Sequence, residues 1–324
     1  MKASSSTAAK QQGMAIISAL LIAAVVAVIA AGMLSRQSVF TRSLEAEQSR
    51  LQGSAVLLGG LEISRQLLWD ARRQDVLTRL DQPWAQPITS RLLDGARDGF
   101  DGRLEDQQGK FNLRNLLANE RVDVGQLRSF EQLCAMIGID AGLAQRISRR
   151  VIASYPRREH PQGTTQRSFD SGRATSPDAV VKSIPATQPM LRSLQDLRGI
   201  EGMNERLLER LAQFVSVIPA NTWVNSNTAS AEVLAAVVPG LSLSQARAMV
   251  EARDRGQWFI NRGDFINRLR SSQTTVDELN VGITSEWFLL HGYARREKRR
   301  VSLDALLYRP EGDMPRVIWS RLGV

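Results

Sequence analysis

The chain has 324 residues, with 42 Lys plus Arg against 33 Asp plus Glu and a formal net charge of +9. Hydrophobic content of 43% and charged content of 23% are those of a folded protein and exclude a wholly disordered one. A single cysteine, Cys134, excludes an intramolecular disulfide, and no Cys/His metal spacing occurs. The positive excess is almost all Arg, with only five Lys; it permits nucleic acid, acidic protein surfaces or anionic headgroups as partners and selects none of them.

Residues 14 to 34 carry no charge, and only Ser18 among them is polar. As a helix they would reach roughly 31 Å, enough to cross a hydrocarbon core of about 30 Å. The leader before them, residues 1–13, holds Lys2 and Lys10 and no acid, so the N-terminus is expected in the cytoplasm and the bulk of the chain beyond the inner membrane. Three readings compete for this segment. A cleavable signal has an apolar region of about 7–15 residues, shorter than this one, although Ala30 and Ala31 would suit a signal peptidase. A plain signal anchor fits length and charge. The third rests on Gln11-Gln12-Gly13-Met14-Ala15, a short basic leader ending in Gly directly before the apolar run.

That third pattern resembles the class III signal of type IV pilins and type II secretion pseudopilins. The resemblance implies that a prepilin peptidase cuts between Gly13 and Met14 and leaves the apolar helix on the mature protein. Most members carry Glu at the fifth mature position, where this chain has Ser18. A carboxylate in lipid is costly unless paired, and in the family its partner is taken to be the terminal amine of the subunit above. A subunit with nothing above it needs no such carboxylate. Ser18 therefore points to a tip subunit, and within the family the minor pseudopilin K is the member that lacks the Glu.

From Arg36 to about Arg72 there is no Pro, and Leu44, Leu51 and Leu58 repeat every seven residues with Ala55, Leu61, Ile63 and Leu68 beside them. This predicts an amphipathic helix over 35–72 continuing the membrane half, with Gly53 and Gly59-Gly60 as weak points. Residues 74–95, with Pro83 and Pro87, read as a connecting loop with short helical pieces. Asp-Gly and Gln-Gly turn signals between Arg97 and Leu113 predict a hairpin. The acids Asp98, Asp101, Glu105 and Asp106 in that stretch are the only clustered metal candidates, but they lack the spacing of any defined calcium loop.

Residues 123–282 read as helix after helix. Leu133 to Ile152, Leu197 to Val215 and Val233 to Ala252 each place a Gly-containing turn before a periodic apolar helix, as in helix-hairpin-helix units. Cys134 falls in a helical apolar pattern and reads as a buried small hydrophobe. Residues 156–190, rich in Pro, Ser, Thr, Gln and Arg, read as a mobile surface loop. Strands are predicted at Trp287–Ala294, Arg299–Arg309 and Arg316–Ser320. The expected fold is α+β: a long N-terminal helix, transmembrane and then amphipathic, packs on a small antiparallel sheet. The head comprises 73–122 and 283–324, and a large all-α insertion spans 123–282.

The strongest soluble motif is Val224-Asn225-Ser226-Asn227-Thr228-Ala229, followed by Pro239-Gly240 and an Arg-bearing helix. Asn225 and Asn227 suit turn conformations, and Thr228 or Ser230 can cap a helix starting near Ala231. The segment is similar both to the helix-hairpin-helix of competence-type DNA receptors and to the helical domain of the K minor pseudopilin. Nucleic acid is disfavoured by Glu201, Glu205 and Glu209 at the second hairpin, while Arg247 and Arg253 near the third keep it as the alternative: a membrane-anchored DNA-binding protein of an uptake system. His160 and His291 read as solvated or satisfied side chains. No P-loop or nucleophile elbow occurs, so no enzyme is expected.

Across nearly the whole chain, the order of these motifs resembles the K minor pseudopilin of type II secretion. Gly109-Lys110-Phe111-Asn112-Leu113 and Arg198-Gly199-Ile200-Glu201-Gly202-Met203 belong to the same series. The resemblance implies a pseudopilus tip subunit that primes filament assembly for export of folded exoproteins. Its implied partners are the I and J minor pseudopilins and through them the major pseudopilin, the prepilin peptidase, the inner-membrane platform and exoprotein cargo. No cofactor is required. Some relatives bind calcium after the first helical unit, where this chain reads Val151 to Glu159 with the acids largely gone, which puts calcium there in doubt.

Overall fold

One unbroken helix, α1 (Thr7–Gln74), sets the frame of the molecule. The computed structural model describes residues 7–91, 99–159, 182–269, 279–296 and 299–323. No Pro falls between Thr7 and Gln74, so nothing breaks the backbone ladder, and the 68 residues extend about 100 Å. Its first part, Ile16–Arg42, has a mean hydropathy of 2.8 and no buried residue among those described, the composition of a helix able to cross a membrane. Its last part buries Leu57, Leu61, Ser64, Leu68 and Ala71 at helical spacing against a sheet. Arg72 and Arg73 close the final turn, where cations suit the helix dipole.

The elements that follow are β1 (Ile88–Arg91), β2 (Gly99–Asp106), β3 (Phe111–Asn112), β4 (Leu117–Ala118), β5 (Arg121–Val122), α2 (Val124–Met136), α3 (Ala141–Ile152), β6 (Arg157–Glu159) and β7 (Lys182–Ile184). Then come α4 (Glu205–Phe214), β8 (Val215–Ser216), β9 (Val224–Asn225), α5 (Ala231–Val237), α6 (Leu243–Asp254), α7 (Arg262–Leu269) and β10 (Val281–Gly282). The chain ends with β11 (Trp287–Arg296), β12 (Arg299–Tyr308) and β13 (Arg316–Gly323).

Five strands form one antiparallel sheet in the order β1-β2-β11-β12-β13. Alternation gives it an inner face of Phe100, Leu104, Phe288, Leu290, Leu303 and Leu307, which packs on α1 with Trp84 edge-on to Phe288. Phe100 pins helix to sheet. A Cβ added at Gly60, Gly102 or Gly292 would lie 2.2, 2.6 or 2.7 Å from its ring, so three glycines make the slot it fills. Gly60 is thus a packing device inside an intact helix, not a weak point.

Between β2 and β11 the chain leaves the sheet and builds a second core around Phe111, Phe130, Leu133, Ile147, Leu211 and Phe259. Asp123, Asp140, Asn204, Ser230 and Ser242 cap α2, α3, α4, α5 and α6 through side-chain oxygens. Gly138, Gly202 and Gly240 take positive φ at the three hairpin turns, the conformation that L side chains avoid. The mixed α+β architecture is the one expected.

Several local expectations are corrected. Ile88–Arg91 is an edge strand, not loop, and among the described residues of that stretch after α1 only Pro83–Ala85 is helical. The expected hairpin between 97 and 113 is absent among the described residues: β2 pairs with β1 and β11, while β3 pairs in parallel with β8, more than a hundred residues on. The second hairpin unit opens with a single 3-10 turn, Leu194–Leu197, rather than a helix. The boundary expected at 123 does not match the packing, because Phe111, Leu113, Leu116 and Leu117 already sit in the helical core. The loop expected over 156–190 begins and ends in the β6–β7 ladder, and 160–181, including His160, lie outside the described residues.

Candidate functional site

The residues singled out in the Asn-Thr-Ala segment converge on a buried junction where the helical block meets the sheet and the end of α1. Asn225 is fully buried, and its Nδ2 donates to Thr78 O at 3.1 Å, Asp106 Oδ2 at 3.2 Å and Ser285 Oγ at 2.8 Å. Its Oδ1 accepts from Asn227 N at 2.9 Å, an Asx turn that shapes the next three residues. Asn227 pairs with the Phe259 backbone on both sides: its Nδ2 donates to Phe259 O and its Oδ1 accepts from Phe259 N, each at 2.9 Å. Thr228 Oγ1 donates to Asp106 Oδ2 at 2.6 Å. Ala229 is buried, and its carbonyl accepts from Arg253 Nη1 at 2.6 Å.

Asp106 is the hub. Burial pushes its carboxyl pKa up, while donors from Ser285, Thr228, the Gln108 amide and Asn225 pull it back. Arg309 lies beside it, donating to Thr78 Oγ1 at 2.7 Å and to Ser285 O at 2.6 Å, with its plane over the Phe288 ring. Burial lowers the Arg309 pKa to about 10, and its Nε is buried without a hydrogen-bond partner. Thr78, Ser285 and Arg309 were not singled out from the sequence. The junction links the residues after α1, the sheet and the insertion through side-chain hydrogen bonds. It is a structural lock.

The metal candidates are not brought together. Asp98 lies outside the described residues. Asp101 and Glu105 are four residues apart on one strand, and Asp106 projects to the other face. Glu105 is engaged by Lys110 at 2.9 Å and lies 3.9 Å from His291 Nε2, while His291 Nδ1 is 2.8 Å from Asp304 Oδ1. The hydrogen bond that His291 donates to Asp304, followed by the one to Glu105, raises the His291 pKa to about 9. Burial would raise Glu105, but His291 and Lys110 hold it at about 2. Among the described residues, no group of three or more His, Cys, Asp or Glu is arranged to hold a metal ion. In the stretch after the first helical unit, Arg158 is paired with Glu120.

The arginines that favoured nucleic acid are already occupied. Arg253 is 2% exposed and holds the Ser226 and Ala229 carbonyls, and Arg247 faces Glu232 at 3.6 Å. At the second hairpin, Arg146 Nε donates to Glu201 O at 2.9 Å. Cys134 is buried, and burial together with Glu131 raises its thiol pKa to about 12. A polar cleft of about 380 Å³ opens near Trp223, but the side chains of Gln108, Asn115 and Asn221 on its walls already bond protein backbone. Gly13 and Met14 lie within α1, and Ser18 is exposed on its apolar segment.

Two family profiles match, both described as Type II secretion system (T2SS), protein K. They cover residues 109–220 and 224–284, together more than half of the chain. Type II secretion system protein K of Pseudomonas aeruginosa is 27% identical over 97% of this chain and 93% of its own length. The protein of the same description from Pectobacterium carotovorum is 25% identical over 87% of each chain, and that from Klebsiella pneumoniae 27% identical over 87% and 85%. Among solved structures, a chain of the GspK-GspI-GspJ complex from the enterotoxigenic Escherichia coli type 2 secretion system has a similar fold. Its TM-score is 0.64 at 17% identity, over 86% of this chain and 99% of that one. The buried Asn-Thr-Ala junction falls where the second family profile begins, and the chain belongs to the type II secretion system protein K family of minor pseudopilins.

Proposed function

We propose that this subunit sits at the tip of the pseudopilus, above the I and J minor pseudopilins, and primes filament assembly for the export of folded proteins across the outer membrane. The observation that carries the reading is Ser18, an uncharged residue on the apolar part of a continuous α1 where most pseudopilins place Glu. A filament helix with a subunit above it gains from a carboxylate facing that neighbour's amine; the topmost one would leave the charge unpaired in an apolar bundle. The similar fold of a chain in a solved complex with I- and J-type partners supports the same neighbours here.

In this reading a prepilin peptidase cuts between Gly13 and Met14, Ile16–Arg42 anchors the subunit in the inner membrane, and the rest lies in the periplasm until the helix is drawn into the filament. The family is one of structural pseudopilins, not an enzyme family, and the role asked of the chain is shape. The first test is N-terminal sequencing of the mature chain with and without a functional prepilin peptidase. A start at Met14 that depends on the peptidase supports the reading, and a start near Gly32 or an intact Met1 overturns the processing step. The second test is secretion by a Ser18→Glu variant, expected to fall at least several-fold; normal secretion would remove the tip argument.

A further inference from the structure

The polar cleft beside Trp223 has a volume of about 380 Å³, within the range of about 300–1,000 Å³ usual for small-molecule sites. Segments far apart in sequence build it. Gln108 comes from the turn after β2, Asp123 and Gln126 from the start of α2, and alternate residues from Asn280 to Glu286 line it as one face of an extended stretch does.

The walls are fixed from behind. The Gln108 side chain donates to Trp223 O and accepts from Glu286 N, and the Asn115 side chain does the same with the Thr222 carbonyl and amide. Arg262 lies over the Trp223 ring at 4.2 Å and donates to Leu279 O and Val281 O, so one guanidinium holds ring and wall together.

Other groups on the wall are unused. Gln126 is only 7% exposed, yet its side-chain amide has no hydrogen-bond partner among the described residues. A buried amide in that state is costly, and native folds keep few of them. The side chains of Asn280, Thr284 and Glu286 make no hydrogen bond among the described residues either.

The lining selects a class of ligand. Among the described residues it contains no Lys or Arg, while Asp123 and Glu286 are present, which argues against an anion. Only Trp223 is large and apolar, which argues against a greasy ligand. A cation fits less well than a neutral molecule: Asp123 already caps α2, and Arg262 already takes a ring face that a cation would seek. Amides, a hydroxyl and carboxylates around an indole that stays 50% exposed suit a ligand with many hydroxyl or amide groups and one C–H face.

We propose that this cleft binds a short neutral saccharide. Trp223 stacks against the C–H face of a sugar ring, and the Gln126 amide pairs with its hydroxyl or acetamido groups.

The test uses the full chain in a polyoxyethylene detergent, since a glycoside detergent would compete for the cleft. Cellobiose and N,N′-diacetylchitobiose are the probes, read by saturation-transfer NMR on their C–H protons. At least one is expected to bind saturably, with a dissociation constant of about 1 mM or tighter. Trp223→Ala is expected to weaken binding about tenfold or more, and Gln126→Leu, which keeps the bulk and removes the amide, about threefold or more. Ile260→Ser, at an exposed position outside the cleft, is expected to change nothing. Trp223 is half exposed, so its replacement spares both cores and carries the test if Gln126→Leu fails to fold. No saturable transfer from either disaccharide at about 20 mM, well above the expected constant, overturns the proposal. Binding that a folded Trp223→Ala or Gln126→Leu chain retains in full overturns it too. Displacement of the sugar by trilysine, reversed by high salt, would reassign the cleft to a basic peptide and overturn the saccharide.

Discussion

Thr228 donates its hydroxyl proton to Asp106 across the seam between the helical block and the sheet, at 2.6 Å and 122 positions apart in sequence. Asp106 also accepts from Ser285 at 2.5 Å and from the Gln108 amide at 2.8 Å, so one carboxyl holds three segments in register. Charge-assisted bonds of this kind are worth more than neutral ones, and each donor deprived of its acceptor in a buried site adds its desolvation cost. Asp106→Asn turns one acceptor oxygen into a donor facing other donors. It should lower stability by about 2–4 kcal/mol. A thermal melt that moved by no more than a degree or two would mean the junction is not a lock.

Gly109 crosses the Asn-Thr-Ala segment so closely that an added Cβ would lie 2.8 Å from Thr228 Oγ1 and 3.2 Å from the Thr228 backbone. Gly109→Ala should therefore separate the two chains and cost about 1–3 kcal/mol, as overpacking does. Gly59 of α1 has nothing within 4 Å of the same position, and Gly59→Ala should stabilise the helix by about 0.5–1 kcal/mol. Paired denaturant curves on the two variants test the contrast. Shifts of equal sign would show that local helix or chain stiffness, not contact, governs both.

Arg253 and Arg247 make a second contrasting pair on α6. Arg253→Ala removes a buried guanidinium and orphans the Ser226 and Ala229 carbonyls, so it should cost about 2–4 kcal/mol. Arg247→Ala removes one side of an exposed ion pair and should stay within about 0.5 kcal/mol. Protease resistance of the folded chain separates the two. If Arg247→Ala proved the more harmful, the structural assignment of Arg253 would be wrong.

Much of this fold is written locally, and the parts that were hard to read are the parts that are not local. The unbroken run without Pro and the apolar stretch announce α1, and positive-φ glycines announce the hairpin turns at Gly138, Gly202 and Gly240. Alternation in Val301, Leu303, Ala305 and Leu307 announces β12. By contrast, Ile88–Arg91 follows two prolines and is too short to display alternation; only its pairing with β2 makes it a strand. Phe111-Asn112 is extended because Val215-Ser216 lies beside it, a pairing that no turn signal advertises. Asn225 and Asn227 were legible as turn formers, and of the two cap candidates Ser230 takes the role; the links of Asn225 and Thr228 to Asp106 were not legible. Arg309 looked like the end of a strand, and its buried role depends on Thr78, 231 positions away.

His291 is held between two carboxylates on the outer face of the sheet, and this sets a pH window for stability. Its pKa in the folded chain is raised to about 9, chiefly by the hydrogen bond with Asp304, from an ordinary 6.5. A raised pKa means that the folded state keeps a proton the unfolded chain has lost. The stabilisation is therefore complete below about pH 6.5 and declines as pH rises toward 9. On the acid side the signs reverse. Glu105, held at about 2, contributes above its ordinary 4.5 and loses that contribution as pH falls through the window between them. Stability from this cluster should thus peak between about pH 4.5 and 6.5. His291 is about a third exposed, so solvent screening reduces the loss between pH 6.5 and 9 to about 1–2 kcal/mol. Melting temperatures at pH 6 and pH 9 should differ in the unaltered chain, and His291→Gln should narrow that difference. An unchanged difference in the variant would mean that another group sets the alkaline limb.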